Sequence, residues 1–332
     1  MATGLVTDLV IYDDEYKGGM YEKVAQMTDA LNAASAGAIR MIVKEMLGDY
    51  QKESFWKKLS GIVHRRDLSS TAAVADTALT QDELISVKLS RRLGPLANAV
   101  GSLTRIGADM SEMSFVVGQQ FGEEKVADWL NTALYAVVAA IEGVDALNYD
   151  ATGETTPTLT HSHLVKGLSK MGDRSSRIIA WVMHSAPYFD LVGQAISDKI
   201  VNVADMAIYQ GTTATMNRPV IVTDSAALKE ENSSASSGDD TYDILGLTQD
   251  AVMVVQSEDD LLRSEVPTGT EQLILRIQGE YTFNLGVKGF QWDTANGGTN
   301  PLAAAIATST NWDQVMASIK DCAGVRIKVN GS

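Results

Sequence analysis

The sequence predicts an α+β protein in which one long helix and several strands form a mixed fold. Three observations support this prediction. Apolar residues between Gly122 and Glu142 recur at three- and four-residue spacing, which is typical of one wide buried helix face. Strand-like and helix-like segments alternate between residues 178 and 223. Near the end of the chain, residues 325–329 alternate Val or Ile with a basic residue, as a half-buried strand does.

The N-terminal region, residues 1–52, is interpreted as an extended or partly helical arm. Its segment Tyr12–Tyr16 is polar and acidic, and a helix is predicted from Tyr21 to about Met46. The first residues lack both a basic start and a sustained apolar stretch, so we do not expect a secretory signal.

The segment from Phe55 to Pro95 is predicted to be a long projecting hairpin. A polar section of small residues, Ser69–Thr80, separates two flanks that are able to pair. The second flank, Leu84–Leu89, alternates apolar and polar residues with the period of a strand. A compact domain would place more large apolar residues here than this segment contains.

Gly122–Glu142 is the clearest helix of the sequence, and we interpret it as a structural spine. Glu123 and Glu124 lie in its first turn, where the helix dipole favours acidic residues, and Gly143 follows as a plausible stop. The predicted buried face consists of Val126, Trp129, Leu130, Ala133, Leu134, Val137 and Ile141.

The second half of the chain is predicted to be a mixture of strands and helices. Asn232–Asp240 has the low-complexity composition of a flexible loop. The predicted helices are Leu164–Met171, Ala186–Ile200 and a short Ala-rich helix after Pro301. The predicted strands are Ile178–Met183, Pro219–Thr223, Ala251–Gln256, Glu271–Phe283 and the terminal strand.

Length and composition indicate a folded protein with one large or two ordinary domains. The chain has 332 residues, of which 45% are hydrophobic and 21% charged. The apolar run Trp129–Ile141 is too short to span a bilayer, which takes about 20 residues. The single cysteine, Cys322, excludes an intrachain disulfide and a multi-cysteine metal site. We therefore expect a protein folded in a cytoplasm, without membrane contact.

The net charge of −15 is unevenly distributed along the chain. Residues 224–265 carry eleven acidic and two basic residues, whereas residues 84–108 carry four basic residues and no acidic one. An acidic protein repels nucleic acid, so sequence-specific binding to DNA or RNA is not expected. One hypothesis is that basic and acidic patches of different copies meet, with Lys88, Arg91 and Arg92 as inter-subunit contacts. The alternative is that these charges lie on solvated loops.

The histidines do not form a catalytic or metal-binding pattern. His161 and His163 begin a helix-like segment, and a capping or solvated role is preferred over zinc binding. His184 and Ser185 are adjacent, and adjacent side chains are not expected to face each other as a nucleophile and its base. Ser185 is instead interpreted as the N-cap of the helix that follows.

Other motifs give equally little support for chemistry. The sequence contains neither of the glycine-rich phosphate-binding motifs in the required context. Glu258, Asp259 and Asp260 are interpreted as a solvated turn at a helix start rather than a cation site. The five scattered tryptophans favour core or interface packing. We therefore predict no catalytic residue, no cofactor-binding residue and no metal ligand.

Three blocks of the sequence resemble the major capsid proteins of tailed bacteriophages. Arg177–Leu191 contains Met-His-Ser followed by Tyr, as in the strand-to-helix element of their axial domain. Asn217–Leu228 is similar to their Pro-Val-Ile-Val strand, and Asn300–Val329 to their C-terminal segment with Asn-Pro and Asn-Trp. Asn284-Leu285 stands where related chains often have His-Pro.

This resemblance implies the Hong-Kong-ninety-seven-type phage capsid fold and a structural role. The implied function is self-assembly into the hexamers and pentamers of an icosahedral shell that encloses double-stranded DNA. The implied parts are an N-terminal arm (1–52), an extended loop (53–97), a peripheral domain with the spine helix (98–165 and 269–332) and an axial domain (166–268). Its implied partners are other copies of itself, and portal, scaffolding, and minor head or decoration proteins, in a virion assembled in the host cytoplasm.

Two alternatives remain open from the sequence. One is an encapsulin-like nanocompartment shell, which shares the fold but encloses cargo enzymes. The other is a soluble α/β enzyme whose active site is not recognisable from its residues.

Overall fold

The computed structural model describes residues 6–44, 48–57, 62–66, 68–99, 110–192, 199–203, 206–209, 215–231, 240–269, 271 and 273–331. These residues form an α+β fold, as predicted. The helices are α1 (Val6–Ala34), α2 (Met110–Glu142), α3 (His161–Ser169), α4 (Ser185–Val192) and α5 (Ala303–Ile306). The predicted flexible loop Asn232–Asp240 lies, except for Asp240, outside the described residues.

Sixteen strands are described, in two large sheets and one small one. They are β1 (Ile39–Val43), β2 (Tyr50–Trp56), β3 (Gln81–Ala99), β4 (Asn148–Asp150), β5 (Ile178–Met183), β6 (Lys199–Val203), β7 (Met206–Tyr209), β8 (Val220–Thr223), β9 (Lys229–Glu230), β10 (Thr241–Thr248), β11 (Val252–Gln256), β12 (Leu261–Glu265), β13 (Ile274–Val287), β14 (Phe290–Trp292), β15 (Trp312–Gln314) and β16 (Gly324–Asn330).

The spine helix α2 has the predicted end at Glu142 but begins at Met110, twelve residues earlier than its apolar pattern indicated. All seven residues of the predicted face are buried. Ala136, Ala139 and Ala140 are buried as well, because the second half of α2 is surrounded by β16 on one side and α5 on another. Small side chains at these positions allow that close packing.

The predicted helix from Tyr21 to about Met46 is wrong at both ends. Helix α1 begins at Val6 and ends at Ala34, after which Ala36 and Gly37 adopt positive φ angles of 54° and 80°. Residues 39–43 form strand β1, which runs parallel to β11. The β-branched residues in this strand favour an extended backbone over a helix.

The helix predicted over Ala186–Ile200 is also too long. Helix α4 ends at Val192, and Lys199 and Ile200 belong to β6, which forms a hairpin with β7. The β-branched residues Ile200, Val201 and Val203 favour a strand, so the predicted helix should have ended before them.

The first sheet has six strands in the order β1-β11-β13-β3-β2, with β12 also paired to β13. Its β2–β3 hairpin matches the predicted pairing, with Tyr50 opposite Val87 and Trp56 opposite Gln81. Ile85, Val87 and Leu89 are buried, as the alternation predicted. The second half of β3 pairs with β13, so this strand carries the hairpin from the centre of the sheet outward.

The second sheet has eight strands in the order β4-β16-β10-β5-β8-β7-β6, with β9 paired to β10. The predicted terminal strand is β16, whose Val325, Ile327 and Val329 are buried. Arg326 is buried too, rather than solvated, because its guanidinium lies 2.8 Å from Asp243 and 3.1 Å from Glu142. The partners on β10 and α2 allow a charged residue on an enclosed strand.

Most buried apolar residues belong to one continuous core between α2 and the sheets. A small separate cluster consists of Tyr16, Leu262, Leu275 and Ile277. In the part of the chain that the structure describes, no helix combines the length and apolarity that crossing a bilayer requires.

Candidate assembly surfaces

The three basic residues predicted as inter-subunit contacts lie along β3 in different environments. Lys88 forms an ion pair with Glu258, and its side chain is only 11% exposed. The Arg91 Nε lies 3.4 Å from Asp128 Oδ2 on the spine helix. Arg92 is exposed, opposite Glu280 in the register of β3 and β13. Two of the three charges are therefore engaged within the subunit, and Arg92 is the one at the surface.

Next to these residues, Lys125 of the spine helix is completely buried. Its Nζ lies 2.5 Å from Asp260 Oδ2 and 3.2 Å from Gln256 Oε1. It also lies over the rings of Trp129 and Tyr281, at 4.8 Å and 5.5 Å from their centroids. Burial raises the pKa of Asp260, and the charge of Lys125 opposes that rise.

The acidic run Glu258–Asp260 is thus neither a helix start nor a fully solvated turn. It lies in the connection between β11 and β12, and Asp260 is 4% exposed. Each end of the run neutralises a cation of another element, Lys88 on β3 and Lys125 on α2. Among the described residues, no group of three His, Cys, Asp or Glu side chains is arranged to hold a metal ion.

Tyr281 links the same region to the spine helix. Its hydroxyl donates to Asp128 Oδ2 at 2.6 Å, and burial together with that carboxylate raises the pKa of Tyr281. These residues therefore form one polar network between β3, β13, α2 and the β11–β12 connection. We call it the junction network, and it consists of Lys88, Arg91, Lys125, Asp128, Glu258, Asp260 and Tyr281. It fixes the base of the hairpin to the spine helix.

Beyond this base, the hairpin projects without cover from the rest of the subunit. Its closing hydrogen bond runs from the Lys57 amide to the Thr80 carbonyl at 2.9 Å, and every described residue from Lys57 to Thr80 is exposed. The exposed set includes large apolar side chains: Trp56 (61%), Ile62 (52%), Val63 (91%), Leu68 (85%), Val74 (83%) and Leu79 (61%). Concentrated apolar exposure of this kind marks an interaction surface.

Of the two histidines for which a capping or solvated role was predicted, His163 caps helix α3. His163 Nδ1 accepts the Thr160 amide at 3.3 Å at the start of α3, while its Nε2 lies 3.3 Å from Glu154. Glu154 also receives two hydrogen bonds from Lys166, which, with the Tyr149 hydroxyl, lower the pKa of Glu154 to about 2. His161 is exposed.

His184 and Ser185 do approach each other, contrary to the expectation. Ser185 Oγ lies 3.4 Å from His184 Nδ1, and His184 Nε2 lies 3.5 Å from Asp224. The same Nδ1 accepts the Ala186 amide at 3.3 Å, so the imidazole, and not Ser185, caps helix α4. Because His184 Nδ1 already accepts the Ala186 amide, its contact with Ser185 is part of the helix cap.

Four of the five tryptophans pack in the core, as predicted, while Trp56 lies at the hairpin surface. Cys322 is buried, and burial raises its thiol pKa to about 12, so it has little thiolate character at neutral pH. Among the described residues, the exposed hairpin is therefore the candidate interaction surface.

Comparison with known proteins agrees with this architecture. A family model described as "Major capsid protein 13-like" matches residues 8–326. No curated protein matches the chain. The capsid asymmetric unit of cyanophage Pam1 has a TM-score of 0.54 at 11% identity, covering 90% of this chain and 92% of that one. The capsid of Ralstonia phage GP4 has a TM-score of 0.51 at 10% identity, covering 89% and 87%.

At these identities the two structures show a shared capsid fold, the Hong-Kong-ninety-seven-type expected from the sequence. The alignment with a virus-like particle from Pyrococcus furiosus covers 96% of this chain at 12% identity. Its TM-score of 0.44 is too low to support an argument about the type of shell. The family match spans nearly the whole chain. The chain therefore belongs to the Gp13-like family of major capsid proteins, the shell proteins of tailed phages.

Proposed function

We propose that this subunit assembles into the hexamers and pentamers of an icosahedral shell, with the tip of the β2–β3 hairpin as a main contact between copies. The observation that carries this proposal is the row of exposed apolar side chains between Trp56 and Leu79. Exposed apolar area of this extent is costly in water, at about 25 cal/mol per Å². A surface of a neighbouring copy would remove it from water.

The division of labour within the subunit follows the same proposal. Residues 1–52 act as an N-terminal arm and residues 53–97 as the extended loop. Residues 98–165 and 269–332 form the peripheral domain, and residues 166–268 the axial domain. The projecting β2–β3 hairpin supports the extended loop of this division.

The net charge of −15 supports a shell that encloses double-stranded DNA without binding it sequence-specifically, because an acidic wall releases few counterions from the duplex. Portal, scaffolding, and minor head or decoration proteins are the further partners we propose, with assembly in the host cytoplasm. In this proposal the chain has a structural role and no catalytic one.

The test replaces three apolar side chains of the hairpin tip at once, as Val63→Ser, Leu68→Ser and Val74→Ser. Because these residues contact little of their own subunit, we expect the urea midpoint of unfolding to stay unchanged. Assembly, followed by sedimentation velocity and negative-stain microscopy, should be lost.

A matched control keeps the tip apolar, as Val63→Ile, Leu68→Met and Val74→Ile, and should form shells normally. Normal shells from the serine variant would overturn the assigned contact. A parent protein that stays monomeric or dimeric, even when co-expressed with its neighbouring genes, would overturn the shell function itself.

A further inference from the structure

A cavity of about 410 Å³ opens at the surface where the ends of β10 and β13 meet two 3₁₀ turns, Gly172–Arg177 and Ile319–Asp321. The charged side chains that line it are Arg177, Lys288, Lys320 and Asp321. Three of these are cations and one is an anion. The cavity therefore has an excess of two positive charges, in a chain whose net charge is −15.

One carboxylate at the cavity is shared by two arginines. Asp321 Oδ1 lies 2.5 Å from Nη1 of Arg174 and 2.5 Å from Nη1 of Arg177. The same Arg177 nitrogen donates to the Lys320 carbonyl at 3.3 Å, and the Lys320 ammonium group pairs with Asp173, which is 75% exposed. Including these neighbours leaves the excess unchanged, because Arg174 adds one positive charge and Asp173 adds one negative charge.

Lys288 carries a positive charge that its position in the cavity wall makes costly. Its side chain is half-buried, and its Nζ donates at 2.7 Å to the Gln249 carbonyl, which has no full charge. Burial lowers the pKa of Lys288, Asp250 opposes that shift, and the charge of Arg177 adds to it. Asp250 also lies 3.4 Å from Arg40, so it serves a second cation. An anion in the cavity stabilises the charged form of Lys288.

We propose that this cavity binds a phosphate group through Arg177, Lys288 and Lys320. A terminal phosphate carries about −1.5 to −2 at pH 7, which matches the excess of positive charge, whereas one carboxylate compensates half of it. Guanidinium groups fit phosphate oxygens in a bidentate geometry, and lysine adds a compact point charge. Acidic residues elsewhere in the chain oppose binding weakly, because exposed charges more than about 8–10 Å away are largely screened at physiological salt.

The test measures binding of inorganic phosphate and of pyrophosphate to the full-length subunit by isothermal titration calorimetry. Lys288→Gln and Lys320→Gln should each weaken binding by about tenfold or more, because each removes one charge-assisted contact. Lys288→Arg keeps the charge and should bind more tightly than Lys288→Gln. The matched control is Lys44→Gln, which makes the same change in net charge at an exposed position after the far end of β1 and should bind as the parent does. Equal affinities in the parent and both cavity variants would overturn the site.

A competition experiment distinguishes the sources of the phosphate. Binding of a short fluorescent DNA duplex that pyrophosphate displaces, and that Lys288→Gln weakens, would assign the site to the nucleic-acid backbone. Binding of pyrophosphate without binding of the duplex would assign it to a free phosphate compound. Tighter binding of an oligoglutamate peptide than of pyrophosphate would overturn the phosphate assignment in favour of an acidic protein partner. No binding of any of the three would overturn the site itself, and it would leave the shell function untouched because the experiment needs no shells.

Discussion

Lys125 is a cation in the interior of the subunit, and its surroundings determine how it is tolerated. Its ammonium group has lost water but gained the Asp260 carboxylate, the Gln256 carbonyl and two aromatic faces. Isolated burial of such a charge would be prohibitive, and partnered burial is close to neutral. Removing one partner therefore lowers the free energy of unfolding by far more than the small net contribution of the pair suggests.

We predict that Lys125→Met destabilises the subunit by about 3–5 kcal/mol at pH 7, because Asp260 is left buried without a cation. The measurement is urea unfolding followed by circular dichroism. Lys23→Met is the matched control, since its pair with Glu123 is largely solvated and worth only about 0–1 kcal/mol. Equal losses in the two variants would contradict the role assigned to burial.

The same variant gives a pH signature with a definite sign. Burial raises the pKa of Asp260, and without Lys125 only the hydrogen bond with Gln256 still opposes that rise. A carboxyl whose folded pKa lies above its unfolded value stabilises the fold at low pH and loses that contribution as the pH increases. The deficit of Lys125→Met relative to the parent should therefore shrink from pH 7 toward pH 4.

At the scale of elements, the close crossing of α1 and α2 depends on glycine on both helices. A Cβ on Gly118 would lie 2.2 Å from the Tyr16 carbonyl oxygen, and one on Gly122 would lie 2.9 Å from that of Met20. Backbone oxygens cannot move aside as a flexible side chain can. The two helices therefore touch along their backbones.

Gly118→Ala should lower the stability of the subunit by about 1–3 kcal/mol through overpacking, even though alanine is the better helix former. Amides of residues 6–17 should also lose protection from hydrogen exchange, because the added methyl group pushes the N-terminal half of α1 away from α2. Gly286→Ala serves as the control, since its Cβ would make an ordinary 3.5 Å contact with Ser86. Unchanged protection in Gly118→Ala would show that α1 keeps its position without the close backbone contact at Gly118.

Local patterns predicted the elements best where one period dominates. The face of α2 and the alternation in β3 were correct because each follows a single repeat of buried residues. The predicted N-terminal helix wrongly included residues 39–43. Pairing with β11, more than 200 residues away, makes this segment a strand, and a local pattern does not report such a distant partner. The partners of Lys88 and Arg91 lie 170 and 37 residues away, so their ion pairs within the subunit had no local signal.

At the scale of the whole molecule, assembly brings together copies that each carry a charge of −15. Like charges repel, so a shell needs apolar contacts, local charge complementarity or both. In the proposed assembly, the hairpin tip supplies the apolar part. Arg92 supplies an exposed cation on β3, whereas Lys88 and Arg91 are largely committed to their own subunit.

Arg92→Glu should therefore block shell formation. Because it places a second acid opposite Glu280 of β13, we expect the unfolding midpoint to fall slightly while the subunit stays folded. Arg92→Lys keeps the charge and should assemble, with a rate that falls as salt is added. Lys44→Glu makes the same change in net charge at another exposed position and should assemble. Loss of shells in both glutamate variants would mean that total charge governs assembly. Normal shells from Arg92→Glu would show that Arg92 is not an inter-subunit contact. Sedimentation velocity at two ionic strengths separates these outcomes. Added salt weakens repulsion between whole subunits and so favours assembly, whereas it weakens a specific ion pair between subunits and so opposes assembly.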